Sequence, residues 1–227
     1  MPRRARVVVP GVPHHLTQRG VRRQAVFFGE DDYRHYLQWY RAATRELGIQ
    51  THAYCLMPNH VHLVAVPPSS ESFARLFVRL HVRYARWLNR RMGWTGHVWQ
   101  ARYFSCPLDD LHACTAVRYV ELNPVRAGLA ATAEHYPWSS AAGHCGLHHD
   151  ALLSTNSWAG IQPREWLTWL CQSDDVERTK VIREATKRDL PAGHREFVDA
   201  LGSRYGRSFH LRPPGNQGGR REKLTNH

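Results

Sequence analysis

Residues 49–66 read IQTHAYCLMPNHVHLVAV. Two strand-like runs, Ile49 to Met57 and His60 to Val66, flank the turn dipeptide Pro58-Asn59 and pair most simply as an antiparallel hairpin. Successive side chains of a strand point to opposite faces, so Val61 turns into a core while His60 and His62 project together from the other side. An isolated H-x-H of this kind is more often two surface histidines than a site. The pair gains weight only from what else reaches its face.

Upstream of the hairpin, a short mixed run from Val12 to Gly20 reads as a first strand leading into a basic loop with Arg22 and Arg23. Glu30, Asp31 and Asp32 then open a helix whose Tyr36, Trp39, Tyr40 and Leu47 recur at helical spacing, closed by Gly48. Downstream, Phe73, Leu76, Phe77, Leu80, Tyr84 and Leu88 predict a second helix over Ser72 to Met92. Gly93 and Gly96 break it, His97 to Leu108 reads as a further strand, and a third helix runs from about Asp109 to Leu122, ahead of Asn123-Pro124. This order predicts a ferredoxin-like (RRM-like) α+β fold, an antiparallel sheet with helices on one face. After Tyr136-Pro137-Trp138 the pattern loosens, then resumes in polar helices around Pro163–Cys171, Asp175–Arg188 and Arg195–Tyr205. The organisation expected is a catalytic domain over 1–145, a helical extension over 146–206, and a Pro-, Gly- and Arg-rich tail over 207–227 that is disordered on its own.

The chain has 227 residues, 31 Lys and Arg against 19 Asp and Glu, and a net charge of +12, which points to a polyanionic partner. Arginines recur beside aromatics, as in Arg83, Tyr84, Arg86, Trp87 and in Trp99, Arg102, Tyr103. That mixture grips phosphates while stacking on unpaired bases. No run approaches the ~18–20 apolar residues of a membrane span, and the opening residues lack a leader pattern. Five cysteines, odd in number and without a C-x-x-C, argue against a disulfide frame. A cytoplasmic protein with reduced thiols is expected.

Tyr119 and Asn123 lie four apart at the end of the third helix and share a face. Taken alone, they read as a core tyrosine and a helix-capping asparagine. Combined with His60 and His62, they suggest a site of two imidazoles and one amide oxygen, free of thiolate and suited to Mg²⁺ or Mn²⁺. Tyr119 would then attack a phosphate bound at the open metal positions. A phosphotyrosine preserves the ester, so a strand can be rejoined without ATP. Free tyrosine titrates near ~10, so its proton needs an acceptor. Glu121, two positions away, lies off the Tyr119 face and is not assigned as base. Arg22, Arg23, Arg102 and Arg126 are the expected DNA contacts, with a solvated surface as the alternative reading.

The sequence resembles the single-tyrosine HUH transposases of the IS200/IS605 type, and within them the REP-associated tyrosine transposases. The segments that carry the resemblance are Val9 to Gly20 (VPGVPHHLTQRG), Leu56 to Val64 (LMPNHVHLV), Trp99 to Tyr103 (WQARY), Tyr119 to Gly128 (YVELNPVRAG) and Tyr136 to Ser140 (YPWSS). The resemblance implies a ferredoxin-like fold, His60 and His62 as the metal-binding pair, Tyr119 as nucleophile and Asn123 as third ligand, where transposon-borne relatives commonly have Gln. It further implies single-stranded hairpin DNA of palindromic repeats as partner, a 5′-phosphotyrosine intermediate, a monomer with a dimer as the alternative, and a basic C-terminal tail. Phe104 departs from the basic residue common at that position. Rival readings are a hairpin-binding module that does not cut, and a phosphoesterase suggested by His15-Leu16-Thr17, which supplies only half of the paired signature such enzymes carry. His144, Cys145, His148 and His149 read as a polar surface loop rather than a zinc site.

Overall fold

The structure is a computed structural model, and it describes residues 6–154, 162–172 and 176–210. Four strands, β1 (His14–Arg19), β2 (Gln50–Met57), β3 (His60–Val66) and β4 (Phe104–Pro107), form one sheet in the order β2-β3-β1-β4. Every neighbouring pair is antiparallel. Helices α1 (Glu30–Leu47) and α2 (Ser72–Met92) provide the crossovers, which gives the α+β, ferredoxin-like arrangement.

The period-two alternation sorts each strand between two cores. Leu16, Tyr54, Leu56, Val61, Leu63 and Ala65 face α1 and α2, where Tyr36, Tyr40, Phe73, Leu76, Tyr84 and Leu88 fill the space between layers. Gly48 ends α1 in the left-handed region at φ 64°, a conformation that glycine adopts without a Cβ clash. Asp32 at the start of α1 is wholly buried. It accepts from the backbone N–H groups of Phe28 and Gly29 and from Arg91 in the last turn of α2, at 2.8 Å. One carboxylate thus caps one helix and ties it to the end of the other.

The opposite face carries α3 (Asp110–Glu121), followed by a short turn of helix, α4 (Asn123–Arg126). Ala113, Ala116, Val117 and Val120 pack on Ala53, Cys55, Val64 and Cys106. A second short helix, α5 (Ala141–His144), follows the Tyr136–Ser140 segment, which lies along the free edge of β2: Leu56 donates to the Trp138 carbonyl at 2.9 Å and Ser140 to the Tyr54 carbonyl at 3.0 Å. Covering that edge removes a row of unpaired backbone groups. Helices α6 (Pro163–Cys171), α7 (Val176–Lys187) and α8 (Arg195–Tyr205) complete the described chain. Trp166 and Leu170 of α6 and Ile182 and Ala185 of α7 join the α3 core. Val198, Leu201 and Phe209 close over Val7 and Val9. Of the tail expected over 207–227, residues 211–227 lie outside the described residues.

The run from His97 to Leu108 differs from the single strand that its composition suggests. Residues 97–103 stay beside β1, with Gln100 donating to the Arg19 carbonyl and Val21 to the Val98 carbonyl, but Ala101 sits at φ 51° and interrupts the ladder. Only Phe104–Pro107 pairs as β4. The aromatics that make the run look strand-like pack sideways instead, Trp99 on His81 and Tyr103 on Phe77.

Candidate nucleic-acid cleavage site

Register places the histidines. Antiparallel pairing sets Thr17 opposite His62 and Arg19 opposite His60, so the side chains of alternate residues on β1 and β3 crowd the α3 face at one end of the sheet. His60 and His62 lie edge to face with ring centroids 4.8 Å apart. His15, one position along on the same face of β1, shares a 2.9 Å hydrogen bond between its Nε2 and His62 Nδ1, while its own Nδ1 reaches the Thr186 hydroxyl of α7 at 2.8 Å. Asn59 bridges the turn to the basic loop, holding His60 Nδ1 through its oxygen and the Arg23 carbonyl through its nitrogen.

The last turn of α3 supplies the other half. Asp109 caps that helix by accepting from His112 N at 2.8 Å. Tyr119 stands perpendicular to both His15 and His62, each ring 5.7 Å away between centroids. Asn123, one turn on, donates through Nδ2 to the Tyr119 and Val120 carbonyls at 3.0 and 3.3 Å, which leaves Oδ1 as the end of the amide able to serve a ligand. The Arg126 guanidinium covers the Tyr119 ring at 4.5 Å and donates to its carbonyl. Glu121 points elsewhere: wholly buried, it accepts from the Ser140 hydroxyl, His144 Nδ1 and Trp166 Nε1, locking the end of α3 to α5 and α6.

These groups line one open cleft of about 370 Å³, walled by His15, His60, His62, Tyr119, Asn123 and Arg126 together with Arg19 and residues of α7. Burial, reinforced by the Arg19 charge, pushes His60 down to about 4, and burial with the His60 charge pushes His15 down to about 3. His62 is driven well below its usual range, first by burial and then by the charges of His60, His15, Arg126 and Arg19. The imidazoles are therefore neutral at pH 7, the form that binds metal. Neutral nitrogen donors beside an amide oxygen, with no thiolate, fit a divalent cation that keeps open positions.

Sequence reasoning groups His60, His62, Tyr119 and Asn123, and the structure brings them into one cleft with Arg126, one of the four arginines expected to contact DNA. Arg22, Arg23 and Arg102 stand apart from that group. Arg22 and Arg23 occupy a short 3₁₀ turn with φ of 52° and 62°, and Arg22 lines a separate cavity with Phe28 and Trp94. Arg102 lines another with Arg6, Arg188 and Arg207 around Asp189. His15, Arg19 and the α7 residues are additions to the cleft that the sequence reading misses. The alternation of His15, Thr17 and Arg19 is the available signal, and it needs the β1–β3 register to be read. A second cluster, Asp109, His112 and His194, is engaged as helix caps: one carboxylate oxygen accepts from the His112 N–H groups and the other from those of His194.

The family described as Transposase IS200 like matches residues 9–123, which run from just before β1 through Asn123. A curated protein of Haemophilus influenzae that carries the name REP-associated tyrosine transposase is 25% identical over 138 residues, covering 56% of this chain and 72% of that protein. Among solved structures, a REP-associated tyrosine transposase bound to a REP hairpin superposes with a TM-score of 0.52 at 15% identity, over 71% of this chain and 95% of that one. At that identity the likeness speaks to the fold. The family match takes in half of the sequence, including all four strands and the helix that bears Tyr119, and the protein belongs to the IS200-like transposase family.

Proposed function

We propose that this transposase is a metal-dependent single-stranded DNA endonuclease and strand transferase, acting as a monomer in the cytoplasm on palindromic hairpin DNA of the REP type. The observation that carries the reading is the convergence of the Tyr119 phenol, the His60–His62 pair and Asn123 in one basic cleft built from a single chain. The H-x-H pair and Asn123 would hold Mg²⁺ or Mn²⁺, which would supply Lewis-acid polarisation of the scissile phosphate. Arg126 fixes the Tyr119 ring from behind and adds positive charge beside the developing phosphorane. The Tyr119 oxygen attacks phosphorus, a tyrosyl P–O bond forms and the P–O3′ bond breaks. The phenolic proton passes to water, and the departing 3′ oxygen takes one up. The DNA is left with a free 3′-hydroxyl and a 5′-phosphotyrosine, and attack by a 3′-hydroxyl reverses the step without an external energy source.

Incubation with a labelled single-stranded hairpin in Mn²⁺ is expected to give an adduct that survives SDS. EDTA abolishes it, and Tyr119→Phe abolishes it while leaving hairpin binding in place. An adduct that persists in Tyr119→Phe refutes the assignment. Hairpin binding with no adduct in the wild type under any divalent metal refutes the enzymatic reading and leaves a DNA-binding module.

A further inference from the structure

The family match ends at Asn123, yet the cleft does not. Its far wall is α7, whose Thr179, Arg183, Thr186 and Lys187 fall at i, i+4, i+7 and i+8 and so share one helical face. The adjoining stripe is anchored, since Ile182 and Ala185, beside the two threonines, are buried against α3. Thr186 is accounted for by its bond to His15. Thr179 is not: it is 7% exposed, lines the cleft, and its hydroxyl has no partner among the described residues. A buried hydroxyl without a partner is unfavourable unless a ligand completes it. Arg183 and Lys187 stand exposed at the rim, and Lys187 is held by an exposed pair with Glu184, a kind of contact worth little and readily exchanged. With Arg19 and Arg126 on the near wall, four cations surround the cleft, and among the described residues no carboxylate lines it. Such a basic cleft focuses its field on an anion.

We propose that α7 forms the second jaw of the cleavage site, and that Thr179, Arg183 and Lys187 grip the DNA backbone phosphate next to the one Tyr119 attacks. This rests on the reading of the cleft as a DNA-cleavage site. A backbone phosphate presents oxygens able to take the hydroxyl donor and both cations at once.

The test measures binding of the full chain to a single-stranded hairpin with flanks over a range of salt, for wild type, Arg183→Gln/Lys187→Gln, and the exposed control pair Arg41→Gln/Arg45→Gln on the other face of the sheet. Each single-strand phosphate that is neutralised adds ~0.7 to the slope of log affinity against log salt, and both α7 cations act on one phosphate, so the α7 pair is expected to flatten that slope by about 0.7. The control is expected to leave it near wild type. A neutral methylphosphonate beside the cleavage position is expected to weaken wild type several-fold and the α7 pair hardly at all. Thr179→Val, nearly isosteric, is expected to raise the melting temperature and lower affinity, a combination that a merely structural threonine does not produce. Equal slopes for the α7 and control pairs, or methylphosphonate sensitivity retained in the α7 pair, overturn the proposal even where the wild-type adduct forms. Loss of the adduct in wild type with the α7 slope effect intact overturns the cleavage reading and leaves the phosphate jaw standing.

Discussion

Removing His15 separates what positions His62 from what binds metal. His62 is 6% exposed and its Nδ1 lies 2.9 Å from His15 Nε2, while His15 Nδ1 meets Thr186 at 2.8 Å. For His62 to present Nε2 to a cation, Nδ1 must carry its proton and donate to His15, which in turn donates to Thr186. His15→Ala leaves that donor buried and unsatisfied, a cost of about 1–3 kcal/mol. Loss of such an outer partner typically weakens metal binding ~10–100-fold, or about 1.4–2.7 kcal/mol. His15→Gln keeps an oxygen to accept from His62 and an N–H to donate to Thr186, and is expected to stay within a few-fold of wild type. Thr186→Val cuts only the far end of the chain and falls between the two. The assay is Mn²⁺ titration by electron paramagnetic resonance, with circular dichroism confirming the fold at each point. A folded His15→Ala that binds Mn²⁺ with wild-type affinity, or a Gln variant as weak as Ala, refutes the positioning role.

Asn123→Asp replaces a neutral oxygen ligand by a charged one and is expected to tighten Mg²⁺ binding, whereas Asn123→Ala weakens it; equal affinities by calorimetry count against Asn123 as a ligand. Stability carries an acid signature from histidines that do not line the cleft. Burial holds His14 at about 4 and His81 at about 3, so below ~6.5 the unfolded chain binds protons that the folded chain refuses. Their stabilising effect is whole above ~6.5 and declines as pH falls toward ~4, by about 1.4 kcal/mol per pH unit for each histidine. His81, bonded to the Tyr36 hydroxyl at 3.0 Å, can be replaced by Gln; denaturant unfolding between pH 7 and 5 is then expected to show a flatter pH dependence than wild type, and parallel curves mean that His81 is protonated inside the fold.

Legibility in the sequence follows the range of the signal. The hairpin is readable because Pro58-Asn59 and the alternation around His60 and His62 are local, and α2 because its apolar residues repeat over several turns. The strand over His97–Leu108 is overestimated in extent because composition reports β propensity and not the positive φ at Ala101 that ends the pairing. Charge carries a sign without a direction: Arg22, Arg102 and Arg126 look alike in sequence and line three different cavities. His15 and Arg19 belong to the cleft only through the register of β1 on β3, which pairs residues more than forty positions apart.

The α7 face is the hardest to read, because Thr179, Arg183, Thr186 and Lys187 have the pattern of an ordinary solvated surface. Nothing in a polar helical stripe says that it faces a site rather than water. That follows from tertiary packing alone, in which Ile182 and Ala185 dock on α3 and turn the polar side toward Tyr119. The same packing joins distant parts of the chain, with Glu121 bonded to Trp166 and His15 to Thr186. The geometry around the H-x-H pair therefore depends on residues far beyond the motif that identifies the family. A relative can keep the motif and change its DNA grip by altering α7 alone.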